Sequence, residues 1–87
     1  MKTFNDATII DVRSAEEFAG KHVPGAINIP LDQLSTRLDE IKNMRKPIVA
    51  YCRSGNRSGM AVTMMKQSGI TDAVNGGGIG DMLSAKK

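Results

Sequence analysis

The chain has 87 residues, of which 40% are hydrophobic and 24% charged, and its formal net charge is +3. These proportions exclude a disordered chain and predict one domain, residues 1–87, whose core is aliphatic because only 3% of the residues are aromatic. A single Cys excludes an intramolecular disulfide, and with a single His it falls short of a zinc ligand set, so we expect neither a metal nor a cofactor.

The distribution of charged and apolar residues limits the expected partners and location. Basic residues are scattered along the chain with hardly any aromatics between them, which argues against nucleic-acid binding and favours small anions. No apolar run approaches membrane-spanning length, and the start of the chain lacks the apolar stretch of a signal peptide. We therefore expect a cytoplasmic monomer that binds neither nucleic acid nor a membrane, with a periplasmic location left open if a leader was removed.

The first elements are a strand and a short helix. The β-branched run at Thr8–Val12 predicts a buried strand. Ser14 and Glu17 have the spacing of a capping box, so a helix is expected to begin there and to close at Gly20 in the left-handed conformation. A turn follows at Val23–Gly25.

The middle of the chain repeats this order of strand and helix. Ala26–Ile29 predicts a second strand, and apolar residues at helical spacing over Leu31–Ile41 predict one amphipathic helix. The apolar run Ile48–Tyr51 is too short for a helix and is typical of a central parallel strand, with Cys52 at its carboxyl end. A further helix follows, closed by Gly69, and its buried face is expected to contain Met60, Met64 and Met65.

The carboxyl-terminal part contains weaker signals. Ala73–Val74 predicts a last short strand, Gly76–Gly78 a flexible turn, and Asp81–Leu83 one helical turn before a frayed Lys-rich tail. Strands that alternate with helices predict an α/β fold, with a small, mostly parallel sheet covered by helices on both faces. Ligands of such sheets bind beyond the carboxyl ends of the strands, which is where Cys52 lies.

The segment around Cys52 carries the chemistry. A glycine-containing loop in front of a helix amino terminus points several backbone N–H groups into one concavity, which binds anions and favours a thiolate. Alone, Cys52 could be a buried small hydrophobe, but this loop favours a nucleophile. Arg53 and Arg57 would recruit an anion or simply be solvated. His22 is expected to be a turn residue bonded to backbone. Asp11 and Arg13, at a strand end that opens onto a turn, are expected to form a structural ion pair or a cap.

Three separated segments resemble one known family. They are Ile9–Arg13 with Glu17–Phe18, then His22–Pro30, then Tyr51–Ser58. Their order and spacing, over a match from about Thr8 to about Gly78, are similar to those of the single-domain rhodaneses, which are thiosulfate sulfurtransferases. The resemblance implies a rhodanese-like fold.

The resemblance also implies roles for individual residues. Cys52 would attack the outer sulfur of thiosulfate, release sulfite and hold the sulfur as a persulfide until cyanide or a thiol removes it. The substrate-binding residues would be those of the loop, with the backbone amides cradling the anion and the two arginines neutralising the sulfonate: Arg53, Ser54, Gly55, Asn56, Arg57 and Ser58. Two alternatives stay open, a persulfide carrier loaded by a protein partner and a non-catalytic regulatory module.

The chain departs from the family pattern in two respects, and its loop is also compared with that of one rival function. The first motif begins within about ten residues, so we expect a shortened version that lacks the family's N-terminal strand and helix. Met82 or Leu83 is expected to pack where the family often has a tryptophan. The rival is a cysteine-dependent phosphatase, whose loop places an arginine at the sixth position after the cysteine; here Ser58 holds that position and Arg57 comes one residue early.

Overall fold

The sheet at the centre of the fold has four parallel strands. The computed structural model describes residues 7–85; the expected absence of an N-terminal strand and helix and the expected Lys-rich tail fall on residues outside that range. In spatial order β2–β1–β3–β4, the sheet consists of β1 (Thr8–Asp11), β2 (Ile27–Asn28), β3 (Ile48–Cys52) and β4 (Ala73–Gly78). All five residues of β3 are buried, as expected for a central strand.

Helices cover both faces of this sheet, which confirms the predicted α/β fold. The α-helices of residues 7–85 are α1 (Ala15–Gly20), which contributes no buried residue, α2 (Leu31–Leu34), α3 (Leu38–Lys42), α4 (Asn56–Gln67) and α5 (Ile79–Ala85). One core cluster includes Leu34, Ile41 and Met65 from the helices, and the other packs Met82 of α5 against Tyr51 and its neighbours. None of the helices between residues 7 and 85 combines the length and apolar character needed to cross a bilayer.

The capping box that begins α1 is confirmed, and the helix ends at Gly20 as expected, but the predicted left-handed conformation of this glycine is wrong. The Glu17 N–H donates to Ser14 Oγ at 3.2 Å, and the Ser14 N–H donates to Glu17 Oε1 at 3.0 Å. Gly20 is the last helical residue and has no positive φ. Lys21 follows in an extended conformation and its N–H donates to Glu17 O, so the chain leaves the helix without a left-handed residue.

The predicted amphipathic helix over Leu31–Ile41 is divided into α2 and α3 by a 3-10 turn at Ser35–Arg37. The hydroxyl of Thr36 donates to Gln33 O at 2.8 Å, which competes with the regular helical hydrogen bonds at this point. The apolar spacing still places Leu34 and Ile41 fully in the core.

The three glycines Gly76–Gly78 form half of β4, so the prediction of a flexible turn is wrong. Ala50 pairs with Asn75 but Tyr51 pairs with Gly77, which leaves Gly76 as the extra residue of a bulge. Glycine is needed because the strand is crowded on both sides. An added Cβ would lie 2.5 Å from Met82 Sδ at Gly76 and 2.5 Å from Arg53 O at Gly78.

The methionines are only partly placed as expected. Met65 is fully buried and Met64 partly buried, but Met60 is 60% exposed, so its assignment to the buried face is wrong. The buried face of α4 follows the helical period through Ser58, Ala61, Val62 and Met65. Met82 is buried on the opposite face of the sheet, which confirms it as a core-filling residue.

Candidate active site

Cys52 is the last residue of β3 and lies in front of the amino terminus of α4. Only Arg53, Ser54 and Gly55 separate it from Asn56, the first residue of that helix. Gly55 has a φ of 99°, a conformation that side chains rarely adopt, and this lets the chain reverse within three residues. The tight turn brings the buried Cys52 side chain against the free N–H groups of the first helical turn.

Hydrogen-bond donors converge on the sulfur of Cys52. The Gly55 N–H donates to Sγ at 2.9 Å and the Ser58 N–H at 3.4 Å, while Ser58 Oγ lies 3.5 Å from Sγ. The helix dipole adds to the favourable field, because negative charge is stabilised near a helix amino terminus. The arrangement therefore suits an anionic sulfur, as the loop pattern predicted.

The environment lowers the pKa of the Cys52 thiol to about 7. Burial alone raises this pKa, but the hydrogen bonds from the Ser58 hydroxyl and from the amides of Ser58, Ser54 and Gly55 together outweigh burial. A substantial fraction of Cys52 is thus ionised near neutral pH without a general base.

Asn75 of β4 supports the loop, and sequence reasoning missed it. Its Nδ2 donates to Gly55 O at 3.1 Å, and its Oδ1 lies 2.6 Å from Ser58 Oγ and 2.9 Å from the Gly77 N. The signal that could have indicated it is a polar residue on a short strand immediately before three glycines, which is unusual unless the side chain has a partner nearby.

Arg57 forms an ion pair with Glu17 of α1. Two parallel hydrogen bonds join the guanidinium and the carboxylate, at 2.9 Å and 3.2 Å. The bond to Arg57 lowers the pKa of Glu17 to about 2, with further help from the Ser14 amide. The pKa of Arg57 is raised, first by Glu17 and also by the negative charge of Cys52.

The remaining predicted binding residues face solvent. Arg53, Ser54 and Asn56 are exposed, and within the described part of the chain the Arg53 side chain makes no ion pair. The six loop residues are therefore brought together around Cys52, but with unequal surroundings. Ser58 is buried next to the Cys52 sulfur, the Arg57 guanidinium is paired with Glu17, and the Arg53 guanidinium makes no ion pair among the described residues.

A second polar cluster lies at the carboxyl end of β1. Asp11 accepts hydrogen bonds from the backbone N–H and the guanidinium of Arg13 and, at 2.8 Å, from the Tyr51 hydroxyl. The Tyr51 oxygen in turn accepts from the Val23 N–H at 2.9 Å. The expected structural ion pair is confirmed. His22 is also as expected, since its Nδ1 is bonded to Phe18 O.

A shallow cavity of about 310 Å³ lies beside this edge of the sheet. Its lining residues include Arg57 together with Val12, Ser14, Pro30, Leu31 and Asp32. Arg57 thus belongs both to the loop and to the cavity. Among residues 7–85 there is no group of three His, Cys, Asp or Glu side chains able to hold a metal ion.

Known proteins share both the sequence pattern and the fold. Residues 1–80 match the family model described as the rhodanese-like domain. The uncharacterized protein YqhL of Bacillus subtilis is 42% identical over 97% of this chain and 69% of its own. The thiosulfate sulfurtransferase PspE of Escherichia coli is 36% identical over 88% of this chain and 75% of its own. The human single-domain sulfurtransferase TSTD1 superposes with a TM-score of 0.76 at 30% identity, covering 94% of this chain and 84% of its own.

Proposed function

The chain belongs to the rhodanese-like family of sulfurtransferases, and from this premise we propose that it moves sulfane sulfur from thiosulfate or a similar donor to cyanide or a thiol through a persulfide on Cys52. One observation supports this most directly. The sulfur of Cys52 is buried at a helix amino terminus and accepts hydrogen bonds from two backbone amides.

The first half-reaction loads the sulfur. A lone pair of the Cys52 thiolate attacks the outer sulfur of thiosulfate and forms a new S–S bond. The bond between the two thiosulfate sulfurs breaks, and its electron pair leaves with sulfite. The negative charge that was on Sγ is then carried by the outer sulfur of the persulfide, within reach of the loop amides.

The second half-reaction unloads the sulfur. A lone pair of cyanide, or of an acceptor thiolate, attacks the outer sulfur, and the electron pair of the persulfide bond returns to Sγ. The products are thiocyanate, or an acceptor persulfide, and the Cys52 thiolate. Because one product leaves before the second substrate reacts, the steady-state kinetics should be ping-pong.

The two arginines contribute unequally to anion binding in this proposal. Arg53 is exposed and unpaired by any acid in the described chain, so it can approach the sulfonate oxygens of thiosulfate. Arg57 is already neutralised by Glu17 and acts mainly through the field it adds around Cys52. The resemblance implies the same role for both arginines, and the ion pair with Glu17 is the reason to separate them.

The ion pair between Arg57 and Glu17 also argues against the rival function, that of a cysteine-dependent phosphatase. That chemistry requires an arginine fork turned inward over the cysteine to grip two phosphate oxygens. Here the fork of Arg57 is occupied by the Glu17 carboxylate. We expect no Cys52-dependent hydrolysis of aryl phosphates under conditions where thiosulfate is turned over.

Intact-mass measurement after incubation with thiosulfate tests the proposal. The protein should gain one sulfur atom, lose it on addition of cyanide, and gain nothing in the Cys52→Ala variant. Absence of the added sulfur in the wild-type protein would contradict persulfide chemistry and favour the non-catalytic module. Loading by a cysteine desulfurase with only slow turnover of free thiosulfate would instead favour the carrier.

A further inference from the structure

The side-chain amide of Asn75 lies within hydrogen-bond distance of three residues near Cys52. Its Nδ2 donates to the Gly55 carbonyl, and its Oδ1 lies within hydrogen-bond distance of Ser58 Oγ and the Gly77 N–H. The amide also lies close to the first turn of α4, because a Cβ added at Gly59 would be 3.4 Å from Nδ2. Although the residue is on an edge strand, its polar end is thus held by the loop.

These partners fix the orientation of the Asn75 amide. A carbonyl oxygen only accepts hydrogen bonds and a backbone N–H only donates, so Nδ2 must face Gly55 O and Oδ1 must face the Gly77 N–H. It follows that Oδ1 is an acceptor toward Ser58, so whenever a hydrogen bond joins the two across the 2.6 Å separation the Ser58 hydroxyl is its donor.

The Ser58 hydroxyl has a single hydrogen but two neighbours that can take it. While this hydrogen points to Asn75, Ser58 Oγ can only accept from the Cys52 S–H at 3.5 Å, which favours the thiol. If the hydrogen turns to Sγ instead, it stabilises the thiolate. Asn75 Oδ1 then still accepts from the Gly77 N–H, and the two oxygens, which no longer share a hydrogen, must separate beyond 2.6 Å.

We propose that Asn75 is a positioning residue that controls the direction of the Ser58 hydroxyl. The hydrogen points to Asn75 while Sγ is uncharged and turns to Sγ when Sγ carries negative charge. In the reaction cycle, which rests on the proposed function, the direction of the hydroxyl hydrogen then changes with the charge on Sγ. It faces Asn75 in the persulfide, where the charge is on the outer sulfur, and returns to Sγ when the acceptor attacks and Sγ becomes the leaving thiolate.

Other charged groups around Cys52 do not compete for this hydrogen. They are Arg53 of the loop, the Arg57–Glu17 pair between α4 and α1, the Asp11–Arg13 pair at the end of β1, and Asp81 of α5, which accepts from the Gly78 N–H at 3.0 Å. None of these groups is a hydrogen-bond partner of Asn75 or Ser58 among the described residues, so we expect their contribution to ionisation to cancel in a comparison of variants.

A double-mutant cycle with Asn75→Leu and Ser58→Ala tests the proposal. Leu has nearly the shape of Asn but no acceptor, and it keeps water from replacing Oδ1. The rate of alkylation by the neutral reagent iodoacetamide, measured from pH 5 to 9, reports the thiolate fraction of Cys52. Asn75→Leu should accelerate alkylation at pH 6 about threefold, the effect of one net hydrogen bond.

The same replacement in the Ser58→Ala background should give no acceleration, because no hydroxyl remains to be redirected. Equal effects of Asn75→Leu in both backgrounds would overturn the proposal, as would slower alkylation with Ser58 present. Thermal unfolding of all four proteins verifies that they fold. Alkylation needs no sulfur donor. A failure of sulfur transfer can therefore be distinguished from a failure of Asn75 to control the Ser58 hydroxyl.

A second measurement follows the side-chain amide of Asn75 itself. In the ¹⁵N spectrum of the protein with Asn75 intact, the side-chain amide signals of Asn75 should shift with the same midpoint as the Cys52 titration. In Ser58→Ala this shift should largely disappear. Side-chain signals that are insensitive to the Cys52 titration in the wild-type protein would also overturn the proposal.

Discussion

Two buried polar clusters lie side by side at the carboxyl edge of the sheet, and they differ in how their charge is balanced. In the cluster of Asp11, Arg13 and Tyr51, the carboxylate faces a guanidinium at 2.7 Å and a hydroxyl at 2.8 Å. Positive and negative charges cancel within the cluster. Around Cys52, by contrast, only neutral donors reach the sulfur directly.

This difference teaches why one cluster is structural and the other reactive. A carboxylate that is paired and fully hydrogen-bonded has nothing left to offer a substrate. A sulfur stabilised by amide dipoles keeps its nucleophilic lone pairs while its anionic form is favoured. Removing one partner from the first cluster should therefore cost stability, and disturbing the second should cost activity.

The largest effect is expected from Cys52→Ser. A hydroxyl is not ionised at ordinary pH and cannot hold sulfane sulfur, so thiosulfate:cyanide transfer should fall below detection while the far-UV circular dichroism stays unchanged. The matched control is Ser54→Ala, which alters an exposed side chain of the same loop and should keep most of the activity. Turnover by Cys52→Ser would remove Cys52 from the mechanism.

Asp11→Asn should produce the largest loss of stability. The replacement leaves the buried guanidinium of Arg13 without its countercharge, which typically costs about 3–5 kcal/mol. Urea denaturation measures this against Asp39→Asn, where the side chain is fully exposed and the change should be within about 0.5 kcal/mol. If both variants were equally stable, the idea that charge balance stabilises the first cluster would be wrong.

Gly78→Ala should reduce activity because it moves the loop. The new Cβ would lie 2.5 Å from Arg53 O, so either β4 or the loop must shift, and a displacement of this kind can lower kcat/KM by about 10–100-fold. Gly80→Ala is the matched control, since a Cβ there meets nothing within 4 Å and lies in a helix. Full activity in Gly78→Ala would mean that the loop tolerates displacement from β4.

Features that depend on local sequence could be predicted. The apolar run that ends in Cys52 indicates a central strand, and the spacing of Ser14 and Glu17 indicates a helix start. Asp11 and Arg13 are two residues apart at the point where β1 ends and the chain turns, so their side chains can reach each other and pair. In each case the interacting residues are close along the chain, and short-range geometry decides the outcome.

Features that depend on contacts distant in sequence could not be predicted. Arg57 pairs with Glu17 across 40 positions, and Ser58 meets Asn75 across 17. Gly78 is needed because Arg53 O lies against it, which no pattern around Gly78 reveals. The sequence therefore indicates which residues surround Cys52 but not which of their charges are free.

A smaller effect is expected from Arg53→Gln. An exposed charge contributes up to about 1 kcal/mol, so the KM for thiosulfate should rise about two- to fivefold while kcat changes little. The increase should shrink at high ionic strength, because salt screens exposed charges. Arg57→Gln provides the comparison within the loop and should raise KM less than Arg53→Gln. The reverse order would show that Arg57 leaves Glu17 when thiosulfate binds.

The smallest effect, and the sharpest test of charge balance, is expected from Glu17→Gln. The replacement gives the reactive cluster an uncompensated guanidinium at Arg57, so the KM for thiosulfate should fall about twofold. Glu16→Gln removes the same charge from the same turn of α1 without contacting Arg57, and it should leave KM nearly unchanged. A higher KM in Glu17→Gln would instead mean that the carboxylate holds Arg57 in a productive position.

The pH dependence of stability gives an independent check on the pairing of Glu17 with Arg57. Because the pKa of folded Glu17 is lowered to about 2, its pairing with Arg57 stabilises the fold fully above about pH 4.5 and is lost as pH falls through 2. The stability difference between the wild type and Glu17→Gln should therefore be constant at neutral pH and disappear in acid.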